Sequence, residues 1–255
     1  MNKKYELLND ETINFNGSKL YRIRALRDFG DVHGGDLGGY IETYDNLAQT
    51  GNCWVYDESV VKDDARVSCD VNVHGKSIIC GSATVDCYAD IIDSTVSDNA
   101  TVTGFAKIYN GAKIKECAMV GNYGMIDGRS IISGNACISG VAKITGESLI
   151  QGNVIVNGNA EVIDAIVVGE VVISDNAYIT STDDYFSINS FINHDVSQYL
   201  ISFYTTENTS IMVFFRQEVF TLYDFAKYIK TLDNYEKDRD IFTKTIAFVR
   251  ARFRK

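Results

Sequence analysis

Three histidines, two acidic pairs and six cysteines are the residues of this chain whose types could do chemistry. His74 sits in Asn72-Val73-His74-Gly75, next to an apolar residue on one side and a turn former on the other. A neutral imidazole in that place is a candidate general base, able to take a proton from an acceptor hydroxyl or amine during acyl transfer. The plainer reading is a surface histidine. His33 lies in a glycine-rich run, and His194 lies in a polar stretch near the C-terminal end. Asp57-Glu58 and Asp63-Asp64 recur six residues apart, where aspartate serves as a turn residue and only secondarily as a cation ligand. The cysteines form no C-x-x-C pair and no Cys–His cluster, so neither a metal centre nor a cofactor is expected. No Ser/His/Asp order or Walker-type loop stands out.

The elements that must position these residues follow a period of six. Aliphatic residues fall at Val55, Val61, Val67, Val73, Ile79, Val85 and Ile91, then after a one-residue slip at Val96 and every sixth position to Val168. A second slip leads to Ile173 and Ile179. Two places before most of them stands a small residue, such as Ala100, Ala118, Ala136 or Ala160, and turn formers lie between. Six is neither a helical nor a simple strand period. A hexad with one large and one small inward residue is a short flat strand plus a corner, and three of them close a triangular coil. The pattern therefore predicts a mainly β fold, a left-handed parallel β-helix of about seven coils, which is a repeat architecture. The absence of proline fits a chain that commits its backbone N–H groups to sheet ladders. Cys69 and Cys87, eighteen apart, should stack at one corner as free thiols.

The flanks are different. Residues 1–50 read as a β cap: Ile13 to Gly17 and Leu20 to Leu26 flank an Asn-Gly turn, a hairpin that covers the open end of the column. The run Phe29 to Tyr40 is rich in glycine but leads into β-structure, not into the helix that a phosphate cradle needs. Residues 51–180 are the β-helix. Residues 181–255 read as an α+β module, with strand-like runs at 185–188, 199–204 and 211–215 and helices at 222–231, capped by Thr221, and about 235–253. The three parts carry net charges of −2, −8 and zero. An acidic column repels phosphates, which argues against direct nucleic-acid binding. No run of eighteen apolar residues exists, so no membrane span is expected, and the start lacks a signal-peptide pattern; the expected place is the cytoplasm.

Residues on either side of each inward aliphatic point outward. On one side Ile131, Leu149 and Val167 recur, and on its neighbour Met119, Cys137, Ile155 and Val172. Apolar ladders in register mark an interface. They are expected to pack against a symmetry mate, giving a homo-oligomer, against the C-terminal module, or against a foreign protein.

The entry Gly35-Asp36-Leu37-Gly38-Gly39-Tyr40-Ile41-Glu42, with Asn46-Leu47-Ala48-Gln49 and Gly51-Asn52-Cys53-Trp54-Val55-Tyr56, resembles the opening of a bacterial and phage hexapeptide-repeat β-helix family. The runs Tyr199 to Thr205 and Thr221 to Phe225 are similar to the C-terminal module of its phage and prophage members. Members are often labelled transferase-like or polymer-forming. The residues and the resemblance together leave three functions open. The first is a non-catalytic phage-type protein whose acidic, partly apolar column engages a host protein, with anti-CRISPR inhibition as one form; Asp57, Glu58, Asp63 and Asp64 and the apolar ladders would then bind. The second is an acyltransferase using acetyl-coenzyme A, with His74 as base. The third is a structural module that self-assembles.

Overall fold

The computed structural model describes residues 3–191, 198–208, 210–231 and 235–253. The hexads form a parallel β-solenoid of about eight turns, one more than their spacing suggests, followed by a small α+β region. Each turn contributes one short strand to each of three walls. Wall A includes Val60–Val61, Ile78–Ile79, Thr95–Val96, Lys113–Ile114 and Ile131–Gly134. Wall B includes Arg66–Val67, Thr84–Val85, Thr101–Val102, Met119–Val120 and Cys137–Ile138. Two long strands, Leu149–Val156 and Ile166–Ile173, run through both walls and join them into one sheet. Wall C has eight strands, from Trp54–Val55 to Tyr178–Ile179. The inward Val and Ile and the small Ala beside them are fully buried, forming one continuous column. Backbone polar groups are satisfied by the next turn, as where Thr101 N donates to Ala118 O at 2.9 Å.

The corners explain the turn residues. Asp57, Asp63, Asp98, Asn110, Glu116 and Asn122 all have positive φ, a conformation that Asn and Asp accept more readily than most side chains. Their carboxylates also staple turn to turn. Asp57 Oδ2 accepts from Gly75 N (2.9 Å), Asp98 Oδ2 from Glu116 N (2.9 Å) and Glu116 Oε2 from Gly134 N (2.7 Å).

Both one-residue slips fall at the corner between walls C and A. The first lies between Ile92 and Thr95, as the spacing predicts. The second lies between Ile163 and Ile166, one hexad earlier than the aliphatic count places it. Leu149 therefore pairs with Ile166, and Val167 pairs with Ile150 and points into the core. Val167 is fully buried, while Val168 and Ile166 face outward. In Ile166-Val167-Val168 all three residues are aliphatic, so composition could not tell inward from outward; the pairing does.

At the upper end, β1 (Tyr5–Phe15) and β2 (Ser18–Ala25) pair around the Asn16-Gly17 turn, and β3 (Leu37–Ile41) joins β2 to wall A. Tyr5 and Phe29 meet Trp54 edge-on, at 6.1 and 5.3 Å between ring centres. The glycine-rich entry has a steric role rather than a ligand role. A Cβ on Gly38 or Gly39 would run into the backbone of Val55 or Ser59, so only glycine lets β3 lie this close to the first turn.

At the lower end, antiparallel strands Tyr185–Phe191, Gln198–Thr205, Ile211–Phe215 and Glu218–Thr221 form a sheet. Its Tyr204 closes the column, with its hydroxyl 2.9 Å from Ser174 Oγ. Thr221 caps α1 (Leu222–Tyr228) by accepting from Asp224 N, and α2 (Tyr235–Arg252) follows. Phe203, Phe215, Phe225 and Val249 make a second core between this sheet and the helices. The fourth strand has no counterpart in the sequence reading, because Glu218 to Thr221 is too short and polar to signal one. Among the described residues, no helix is long and apolar enough to cross a membrane.

Candidate functional site

Wall C builds a positioned imidazole. Trp54 pairs with Asn72 and Val55 with Val73, so Tyr56 lies directly above His74 on the outer surface, and Ile92 lies below it. The Tyr56 and His74 rings stack at 4.0 Å and 12°. Tyr56 is itself held, its hydroxyl donating to Asp31 Oδ1 at 2.7 Å. Burial, reinforced by that carboxylate, pushes the Tyr56 phenol well above its usual range, so it stays a neutral donor. In the next turns Tyr109 donates to Asp90 Oδ2 at 3.1 Å, and Asp90 Oδ1 has no hydrogen-bond partner among the described residues. A half-buried histidine with a fixed ring plane can accept a proton from a group approaching the wall. His33 is exposed, 3.9 Å from Asp28; His194 lies outside the described residues.

The acidic pairs are not gathered into a site. Asp57 is a corner staple, and Glu58 pairs with Arg22 of the N-terminal hairpin at 3.6 Å. Asp63 accepts from Lys62 Nζ (2.8 Å) and Gly81 N (3.1 Å), which hold its carboxyl below the usual range. Asp64, beside it on the same corner, is exposed. No group of ligating side chains could hold a metal ion among the described residues. Cys69 and Cys87 occupy successive turns of one corner as free thiols.

The apolar ladders are real but differently bounded. Met119, Cys137, Ile155 and Val172 are in register down wall B. Met119 (46% exposed) and Ile155 (39%) face solvent and Cys137 is half-buried. Val172 is buried, its N–H donating to Ser202 Oγ of the C-terminal sheet at 2.8 Å. Among the described residues, the module thus covers only the last rung. On wall A the ladder is Ile131, Leu149 and Ile166, with Ile166 in the place expected for Val167.

The spacing also held an aromatic column that the sequence reading missed. Tyr88, Phe105 and Tyr123 stack at the corner between walls B and C, with ring centres 4.8 and 5.1 Å apart and planes within 5°. Val141 continues it, and all four are exposed. Their intervals of seventeen, across the first slip, and then eighteen were the available signal. Beside them, wall B lacks charge altogether over four turns: residues 100–106, 118–124, 136–142 and 154–160 contain no Asp, Glu, Lys or Arg, in a chain that is 23% charged.

No protein-family profile matches the chain. A stretch of 63 residues, 24% of the chain, is 40% identical to a protein of Escherichia coli (strain K12) named uncharacterized acetyltransferase YdcK. The stretch spans 19% of that relative's length. This local similarity and the solenoid together fit a hexapeptide-repeat, transferase-like family.

Proposed function

We propose that this protein is a hexapeptide-repeat acyltransferase that takes its acyl group from acetyl-coenzyme A, with His74 as the general base. The observation that carries this reading is the local identity to a protein named as an acetyltransferase. The fixed ring of His74 on wall C supports it. In the reaction the acceptor's hydroxyl or amine attacks the thioester carbonyl carbon while the imidazole takes the proton leaving the nucleophile. The carbon–sulfur bond then breaks, and the thiolate leaves and is protonated. Tyr56 acts as a positioning residue, its hydrogen bond to Asp31 fixing the plane on which the imidazole rests.

The test is thiol release from acetyl-coenzyme A across a panel of amine and hydroxyl acceptors. Replacing a general base costs about 100-fold or more, so His74→Ala should lower kcat by about that factor with its circular dichroism unchanged. Turnover that is the same in wild type and His74→Ala would remove His74 from the reaction. No thiol release with any acceptor would remove the reading.

The uncharged, exposed wall B favours a second reading, in which the protein is a non-catalytic binder of a host protein, as an inhibitor of a defence system would be. Capture from a bacterial lysate by wild type, and not by Met119→Asp, is its expected signature. Recovery of nothing above background would end it.

A further inference from the structure

The acyl-transfer reading leaves one buried nucleophilic pair unused. Lys4 is fully buried at the top of the column, and so is Cys53. Lys4 Nζ lies 3.2 Å from Cys53 Sγ and donates to Cys53 O at 2.9 Å, with the carbonyls of Thr50 and Gly51 at 3.4 and 3.5 Å. Its Nζ also stands 5.1 Å from the centre of the Phe29 ring. Its neighbours are thus carbonyl oxygens, an aromatic ring and a sulfur, and none of the described contacts is an ion pair to a carboxylate. A buried ammonium with no carboxylate in contact is costly, and the more distant Asp70 offsets only part of that cost. Desolvation lowers the lysine pKa and raises that of the thiol, so the amine is pushed towards the neutral form that keeps its lone pair.

We propose that Lys4 and Cys53 form a modification site, at which a peroxide joins the lysine nitrogen to the cysteine sulfur through a covalent N–S bond. Peroxide transfers one oxygen to the thiol, giving sulfenic acid and water. The neutral Lys4 amine then attacks the sulfur, the S–O bond breaks, and the hydroxide takes the proton lost by nitrogen and leaves as a second water. The peroxide is reduced, the sulfur is oxidised, and the protein ends two hydrogen atoms lighter. A thiol reductant cleaves the bond and restores both groups. The linkage ties residues 49 apart, the lead-in to β1 and the residue just before the first strand of wall C, so it would lock the cap onto the column. The pair lies beneath the exposed turn Thr50-Gly51-Asn52, and local opening of that turn is the route by which peroxide would reach it.

The experiment is peptide mapping by mass spectrometry of the whole protein before and after treatment with hydrogen peroxide, and again after dithiothreitol. It is run on wild type, on Lys4→Arg, and on a variant in which Cys53 is the sole cysteine, the other five replaced by Ser. In the single-cysteine variant, loss of two hydrogens cannot be an intramolecular disulfide. Expected is a peptide joining Lys4 to Cys53, two hydrogens lighter than its parts, uncut after Lys4 by trypsin, released by dithiothreitol and missing from Lys4→Arg. If the single-cysteine variant does not fold, the wild-type map alone decides. Cys53 found as free thiol while the exposed Cys69 and Cys117 oxidise would overturn the proposal. So would Cys53 carried on to sulfinic acid or into a disulfide, or a joined peptide that retains an added oxygen.

Discussion

Four tyrosines hold their hydroxyls where a phenolate is disfavoured. Burial raises Tyr5, Tyr56, Tyr109 and Tyr204, the last two to about 12, and the carboxylates beside Tyr56 and Tyr109 add to the effect. In the unfolded chain each would ionise near 10. Below that pH the neutral phenol is present in both states and native stability is retained in full. As pH rises past about 10 the unfolded state loses protons first, so stability falls progressively towards the folded values. Thermal melts followed by circular dichroism should therefore show no tyrosine-linked loss from neutrality to about pH 10 and a steep fall beyond it. Tyr204→Phe should make that fall shallower. At neutral pH it should cost about 1 kcal/mol, because Ser174 Oγ loses its partner inside the lower end of the column. An alkaline slope that is the same in wild type and variant would mean that Tyr204 is not among the groups that drive it.

At the scale of the element, the corners set both stability and what can be read. Gly128 has φ +71°, and a Cβ there would strike the carbonyl of Gly146 in the next turn. Gly128→Ala should destabilise by about 1–2 kcal/mol from the left-handed backbone alone, and by more if the turns must part. Cys69 is the opposite case, a side chain held at φ 62° on an exposed corner. Cys69→Gly removes that steric cost but adds unfolded-state entropy, leaving a net gain of up to about 1 kcal/mol. Chemical denaturation of the two variants against wild type should shift the midpoint in opposite directions. The same corners explain which parts of the fold the residues announced. Inward positions such as Val102, Val120 and Ile138 each have polar or small neighbours on one side, so their period was plain. At Ile166-Val167-Val168 every choice was aliphatic, and only pairing between turns fixed the register. Tyr88, Phe105 and Tyr123 went unread because a corner position is expected to be polar, and their meaning arises only when the turns stack. The stacking of His74 on Tyr56 is legible as an eighteen-residue interval, but the anchor on Asp31 comes from a loop outside the period and was not.

For the molecule as a whole, the distribution of charge decides where a second copy can approach. The chain carries a net charge of −10, so two copies repel over most of their surface, at a range of about 10 Å or less in physiological salt. Over four turns wall B has no Asp, Glu, Lys or Arg, and its exposed residues include Met119 and Ile155, with Phe105, Tyr123 and Val141 along one edge. The column's ends are closed by Trp54 with Tyr5 and Phe29 above and by Tyr204 below, which argues against end-to-end growth. Side-by-side association through wall B is then the route that buries apolar surface without pairing like charges. A stable contact needs about 800 Å² from each partner, and several turns of one wall are the right order of size. Light scattering should give a dimer or trimer for wild type, held more tightly as salt rises, because screening removes repulsion and leaves apolar burial intact. Met119→Asp with Ile155→Asp puts two like charges on each copy in the middle of that contact. It should give a folded monomer with an unchanged circular dichroism spectrum, because neither side chain belongs to the inner column. A wild-type monomer at every salt and protein concentration would exclude the second copy and leave wall B open to a foreign protein. The lysate comparison would then become the decisive one. If the doubly substituted protein instead kept the wild-type mass, the contact would have to be sought on wall A, where Ile131, Leu149 and Ile166 form the other apolar ladder.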